Sequence, residues 1–406
     1  MEGTEEVWRY KEGIGKTDWL KELYLFYTQL AAGSLLIIPA IVLPLYYKTS
    51  VAAEEYMFFL EFFGMLVGSL LISGASDRIG RRPALALSLV LYSVGSFIPF
   101  IDRSFYSLVA SMLIMGSGIG ANVPVANAMM NEFSEPTVRG TVMSIGNAIF
   151  NLGFVVAPLL IFFFGVRFIF IFGIAQLITL IPILKIPETR EPAQSSGFRD
   201  LYKKAYLKNT LLISFATFFV FFVVYGIVDW FPTLLSRGLV EVPSLIQKYY
   251  ILITNMGAFF GALFIAPFID RIGRKILGVF VSFAAGVAEL LTLLFSGLSS
   301  ALAVSFVFIS LFLMEGSLAI VTIVASELYD NGMRGRGLGN SLAWGRIGGM
   351  ISPLVLGSVL ETFKKPNLPF LVLGASSLSA AVLLYNLPET MYNKGQKTSK
   401  GNDQDL

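Results

Sequence analysis

Among its 406 residues the chain has no cysteine and no histidine. The first absence excludes disulfides and thiolate metal sites. The second removes the commonest metal ligand and the one side chain that titrates unperturbed near pH 6.5. Any proton this protein carries must ride on a carboxylate. Charge is scarce too, since 14% of residues are charged against 55% hydrophobic, with a mean hydropathy of +0.72. So few charges do not coat a soluble globule of this length. No Ser/His, metal or phosphate-loop constellation is present, which argues against an enzyme. The glycines of G-S-G-I-G-A (116–121) sit inside an apolar run with no Lys-Ser or Lys-Thr after them, and read as close helix packing.

What the chain does have is long apolar runs. Twelve of them, of 18 to 26 residues, fall near 24–47, 54–74, 84–101, 105–129, 140–164, 167–186, 210–231, 246–269, 276–297, 300–325, 337–360 and 368–387. Each is long enough to cross a hydrocarbon core of roughly 30 Å. The expected fold is therefore all-α and integral to the membrane. The first run lies behind a mixed-charge segment without a small-residue cleavage site and reads as a retained span. Loops after the even-numbered spans hold 15 Lys and Arg, whereas the opposite loops hold 7. By the positive-inside bias this places both termini in the cytoplasm of a multi-pass cell-membrane protein. The net charge of +3 expresses that bias rather than nucleic-acid binding.

The chain is also one half written twice. Gly74 to Arg82 reads G-A-S-D-R-I-G-R-R, and Pro267 to Lys275, 193 positions later, reads P-F-I-D-R-I-G-R-K. Glu132 and Arg139 match Glu327 and Arg334 at an offset of 195, and Pro187-Glu188-Thr189 matches Pro388-Glu389-Thr390 at 201. Duplicated halves of this kind build many secondary transporters. The expected organisation is an N-terminal segment (1–23), a six-helix bundle (24–186), a linker (187–208), a second six-helix bundle (209–388) and a tail (389–406). In the linker, F-R-D-L-Y-K-K-A-Y-L is expected to form a short amphipathic helix on the inner leaflet.

The repeated D-R-x-G-R pattern after spans two and eight, with P-E-T-R after span six, resembles the major facilitator superfamily over residues 20–390. S-E-L-Y-D-N-G-M-R-G-R-G-L-G (326–339) and G-R-I-G-G-M-I-S-P (345–353) are similar to its branch of sugar porters, organic-ion transporters and aromatic-acid:proton symporters. The resemblance implies two pseudo-symmetric six-helix bundles. It also implies a conformational latch at Asp77, Arg78, Gly80, Arg81 and Arg82, repeated at Asp270, Arg271, Gly273 and Arg274. A cytoplasmic ion-pair network is implied at Glu132, Arg139, Glu188 and Arg190, mirrored by Glu327, Arg334 and Glu389; solvated surface charge is the alternative. The chain departs from typical sugar porters, which carry an Asp in the first span, an Arg in the fourth and a Gln-rich seventh. Its seventh-span pattern Y-G-x-x-x-W-x-P-T-L is closer to the organic-anion and aromatic-acid branch.

A charge near the bilayer centre costs roughly 2.5 to 3.5 kcal/mol on insertion scales, so each marks a candidate site. Glu315 and Arg346 lie at similar depth on adjacent spans, roughly 18 and 15 Å in. The repeat aligns Arg346 with Asn151 and Glu315 with Gly120, so this charged pair exists only in the second half. It reads either as a coupling and substrate site or as a structural ion pair. Asp229 shares a face with Tyr225 as an outer-gate or substrate contact, or as an interfacial carboxylate. Glu61 and Glu289 are weaker candidates, and Glu289, on a span expected at the periphery, needs a partner. Gln29, Asn147, Asn151 and Asn255 offer hydrogen bonds to a ligand or between helices.

These features describe a secondary transporter that moves a small organic solute, an organic or aromatic acid or a sugar-like metabolite, by alternating access. Proton-coupled symport on Glu315 or Asp229 is expected. Proton-driven export, uncoupled facilitation and, more distantly, a non-transporting sensor are the alternatives. No cofactor is expected beyond the proton, the lipid bilayer is the surrounding partner, and the working unit is expected to be a monomer.

Overall fold

A computed structural model describes residues 19–102, 104–135, 138–183, 186–188, 198–329 and 333–390. The architecture is all-α. The helices are α1 (Trp19–Tyr47), α2 (Val51–Ser76), α3 (Arg81–Ile101), α4 (Phe105–Phe133), α5 (Arg139–Phe164) and α6 (Val166–Ile183). The second set is α7 (Leu207–Ser236), α8 (Ser244–Ile272), α9 (Arg274–Phe295), α10 (Ser300–Glu327), α11 (Arg334–Phe363) and α12 (Pro369–Tyr385). Among the described residues, 11 are long and apolar enough to cross a membrane. The other, α12, has 17 residues, at the short end of what a span needs.

The helices start within a few residues of their apolar runs, and polar caps fix three of these starts. Ser50, Ser104 and Ser299 sit just ahead of α2, α4 and α10, and each hydroxyl accepts from the backbone N–H three residues on. All three caps lie at the end opposite the D-R-x-G-R loops. Two helices are irregular: α1 ends in a π-turn at Leu43–Tyr47, and α2 contains one at Ser69–Ser73. The linker helix is a short 3₁₀ turn, Phe198–Tyr202, and it docks on protein rather than lying free. Leu201 is fully buried, its carbonyl accepts from Thr210 Oγ1, and the Tyr202 hydroxyl donates to Asn340 at 2.7 Å.

The repeat extends to the packing. In the first half α1 packs on α5, α2 and α3 on α4, and α3 on α6; in the second, α7 packs on α11, α8 and α9 on α10, and α9 on α12. Lipid offers apolar surface as good as Leu does, so such helices associate by close approach at small residues. Gly68 and Gly261 are equivalent positions, 193 apart. A methyl carbon at Gly68 would stand 1.9 Å from the Ser117 carbonyl, and one at Gly261 would stand 2.2 Å from that of Phe312. Gly116 and Gly120 of the G-S-G-I-G-A run abut the backbone of Glu61 and Met65 on α2 in the same way. The two halves meet along α2 with α11, α5 with α8, and α7 with the end of α1.

Candidate transport site

From the end of the molecule opposite the D-R-x-G-R loops, inter-half contacts descend into the middle. Arg237 donates to the Thr49 carbonyl at 3.1 Å, Lys248 lies over the rings of Tyr46 and Phe162, and Thr233 donates to Glu54 at 2.7 Å. Deeper, Phe58 meets Trp230 edge-on at 5.7 Å and Phe62 meets Tyr225 at 4.8 Å. Below them the Arg346 guanidinium points at the Met65 sulfur, 3.7 Å away. This end of the molecule is shut. On α5, Asn151 is buried, whereas Asn147, one turn nearer the loop end on the same face, is exposed. Solvent thus reaches this face of α5 at Asn147 from the motif-loop side, which leaves an opening, or cleft, beside Asn151.

At the head of the cleft the two halves exchange a hydrogen bond. Asn151 Nδ2 donates to Glu315 Oε2 at 2.9 Å, and Glu315 is only 4% exposed. The expected ion pair between Glu315 and Arg346 is not formed, because their helices aim them differently. α10 turns Glu315 across the interface toward α5, while α11 turns Arg346 toward α2 and α7. Arg346 is 8% exposed, lies 5.9 Å from the Phe221 ring and sits beside the Tyr225 hydroxyl. Among the described residues no carboxylate comes within ion-pair distance of it. A buried guanidinium ringed by Phe221, Tyr225 and, one contact further, Phe62 is suited to a planar anion: charge and fork for a carboxylate, faces for an aromatic ring.

The remaining candidates separate into three groups. Glu61 and Asp229 are buried and near enough to interact, and none of their four carboxylate oxygens has a hydrogen-bond partner. Gln29 donates to Asn127 Oδ1 at 2.8 Å inside the first half, and Asn255 is buried on α8. Glu289 has the partners its position demands: Ser310 of α10 and Ser377 of α12 donate to its two oxygens at 2.6 and 2.7 Å. It ties three helices of one half together, away from the cleft.

Among the described residues the motif loops form one cluster in each half, which joins members of the implied latch to members of the implied network. Gly80 and Gly273 both have positive φ, 104° and 103°, which carries the chain sharply into α3 and α9. Glu188 then accepts from the backbone N–H groups of Arg81, at 2.6 Å, and Arg82. Glu389 does the same for Arg274 and Lys275, at 3.1 and 3.0 Å. A carboxylate at a helix N-terminus satisfies donors that have no partner within the helix and complements the helix dipole. Sequence reasoning did not foresee this capping role for the P-E-T glutamates. The Arg81 side chain reaches Glu132 at 3.4 Å, and Arg274 grips Glu327 with two bonds at 2.8 and 2.9 Å. These contacts all stay within one half. Arg78 and Arg271 are exposed. Arg190 lies outside the described residues, as do the side chains of Asp77, Arg139, Asp270 and Arg334.

The Major Facilitator Superfamily sequence profile matches residues 23–253 and 244–403. The chain belongs to that superfamily. It is 30% identical over 323 residues to a 3-(3-hydroxy-phenyl)propionate transporter of Escherichia coli, covering 75% of this chain and 77% of that protein. It is 29% identical over 350 residues to a gentisate transporter of Corynebacterium glutamicum, covering 80% and 76% respectively. Among solved structures, the human organic anion transporter MFSD10 superposes with a TM-score of 0.69 over 89% of this chain and 99% of its own, at 19% identity, a likeness of fold. The chain is thus a multi-pass membrane transporter and not an enzyme.

Proposed function

We propose that this member imports small aromatic or related organic carboxylates, with Arg346 binding the carboxylate and Glu315 carrying a coupled proton. The observation that carries this reading is Arg346 itself, a buried guanidinium with no carboxylate partner among the described residues, set beside aromatic rings at the head of the cleft. The names of the similar transporters point to the same class of solute. Substrate bound at Arg346 and a proton on Glu315 would both lie where the halves meet, so occupancy of either site biases the rocking that exposes the other. The Lys and Arg distribution puts the motif loops, and hence the open cleft, on the cytoplasmic side.

The test is uptake of labelled hydroxybenzoates, nicotinate, aliphatic acids and sugars into proteoliposomes, with and without a pH gradient. Aromatic carboxylates are expected to accumulate only with the gradient. Glu315→Gln is expected to keep substrate exchange but lose accumulation, and Arg346→Ala to lose binding. Accumulation of sugars alone, or gradient-driven uptake by Glu315→Gln, overturns the reading.

A further inference from the structure

The outer part of the interface holds two carboxyl groups that the substrate reading does not use. On α2, Phe58, Glu61, Phe62 and Met65 share one face at helical spacing, and on α7 Tyr225, Asp229 and Trp230 oppose it. Phe58 packs on Trp230 just outward of Glu61, and Phe62 packs on Tyr225 just inward. Glu61 and Asp229, 0% and 1% exposed, lie between these two aromatic contacts on facing helices of the two halves, near enough to interact. All four carboxyl oxygens lack a hydrogen-bond donor, and the Trp230 indole N–H lacks an acceptor.

The charged surroundings do not relieve this. On α2 itself, Glu54 lies two turns outward and is held by Thr49 and Thr233, and Glu55 lies near Glu361 of α11. The outer end of α1 brings Tyr46, Tyr47 and Lys48, and α8 brings Lys248, which sits on Tyr46 and Phe162. On the inner side Tyr225 separates the pair from Arg346 and Glu315. α4, which packs behind Glu61 through Gly116, has no ionisable residue between Tyr106 and Glu132, and α12 carries only Tyr385 at its far end. Two bare carboxylates cannot share a dry site without a cation, because desolvation and mutual repulsion act in the same direction.

We infer that Glu61 and Asp229 form a proton-binding pair that locks the outer end: the halves close there only when the pair holds at least one proton, and losing it drives α2 and α7 apart. A proton suits the pair better than a metal ion, since a hard cation needs about six oxygen donors and no group of three or more side chains that could hold a metal is found among the described residues. The sign follows from linkage. The shut state binds the proton and the open state exposes both carboxyls to water, so acid favours closure and rising pH favours opening, by up to about tenfold in the equilibrium per pH unit for one proton. The inference rests on the alternating-access reading but on neither its substrate nor Glu315.

The absence of cysteine makes the test direct. Exposed Ala52 and Ser236, at the outer ends of α2 and α7, are replaced by cysteine and spin-labelled, and the distance between them is measured in proteoliposomes from pH 5 to pH 9 without substrate. The short distance is expected to dominate at pH 5 and give way to a longer one as pH rises. Glu61→Gln and Asp229→Asn, each nearly isosteric, are expected to hold the short distance across the range. A distribution that ignores pH, or a pH shift that survives in both variants, overturns the lock. A shift that follows sodium concentration at fixed pH overturns the proton as its ligand. Uptake measured in parallel separates the two readings: pH-driven opening without organic-acid uptake sinks only the proposed substrate, and uptake with pH-invariant distances sinks only the lock.

Discussion

Asn151 of α5 donates to Glu315 of α10 at 2.9 Å, and Asn151 is the residue that the internal repeat aligns with Arg346. The duplicated position thus contributes to the central site from both sides, as an amide facing a carboxylate from one half and as a guanidinium among aromatic rings from the other. The ancestral symmetry is kept in the backbone and broken in the chemistry.

That bond joins the halves rather than stabilising either one. Asn151→Ala is expected to disfavour the outward-shut conformation by about 1–3 kcal/mol, the cost of a buried acceptor losing its donor, with little change in the thermal unfolding midpoint. Distance measurements across the outer ends and a melting curve on the same sample check this. A large fall in unfolding midpoint with unchanged distances would show a structural role instead.

Arg346→Lys keeps the charge but loses the planar fork and its stacking on Phe221. Affinity for an aromatic carboxylate is expected to fall by about tenfold or more, roughly 1.4 kcal/mol, while Arg346→Ala abolishes binding. Equilibrium binding in detergent, separate from transport, gives the answer, and equal loss in both variants would count against recognition by the fork.

Gly80→Ala and Gly273→Ala force a Cβ onto backbone of φ near +104°, where it would also stand 2.5 and 2.9 Å from the carboxyl oxygens of Glu188 and Glu389. Each substitution is expected to cost about 1–3 kcal/mol through strain and the displaced glutamate. Glu188→Ala, which removes the cap without strain, is expected to cost less, about 1 kcal/mol. Thermal denaturation of the three variants should rank them in that order.

Glu289 lies outside the cleft, so Glu289→Gln is expected to transport normally, with the amide replacing the carboxyl between Ser310 and Ser377. Glu289→Ala empties the site and is expected to lower stability by about 2–4 kcal/mol. Uptake rates normalised to folded protein distinguish this from a coupling role, which would silence the glutamine variant as well.

The sequence by itself determined the class of molecule and its plan. Twelve apolar runs and scarce charge leave helices in a bilayer as the folded form, and the matching D-R-x-G-R and P-E-T segments mark a duplicated half. The span positions follow because hydrophobic length is a local property, readable one window at a time; Ser50 lets α2 start ahead of its run, whereas α4 and α10, capped by Ser104 and Ser299, start where theirs do. The depth of Glu315 and Arg346 follows for a similar reason, since it is counted along each helix; for Asp229, Glu61 and Glu289, nearer span ends, the sequence left burial and a hydrated position both open, and the structure buries them. Their partners were decided by the tertiary structure. Helix rotation within a half is set by glycine contacts such as Gly68 on Ser117, and the register between halves by contacts such as Gly349 against Phe62. A rotation of about 100° per residue is enough to exchange one neighbour for another. Glu315 therefore faces Asn151 instead of Arg346, Glu289 finds two serines in its own half, and Glu188 and Glu389 cap α3 and α9. The meeting of Glu61 with Asp229 joins residues 168 apart in the chain, on different halves. No local pattern encodes that meeting, because it exists only when the two halves close on each other.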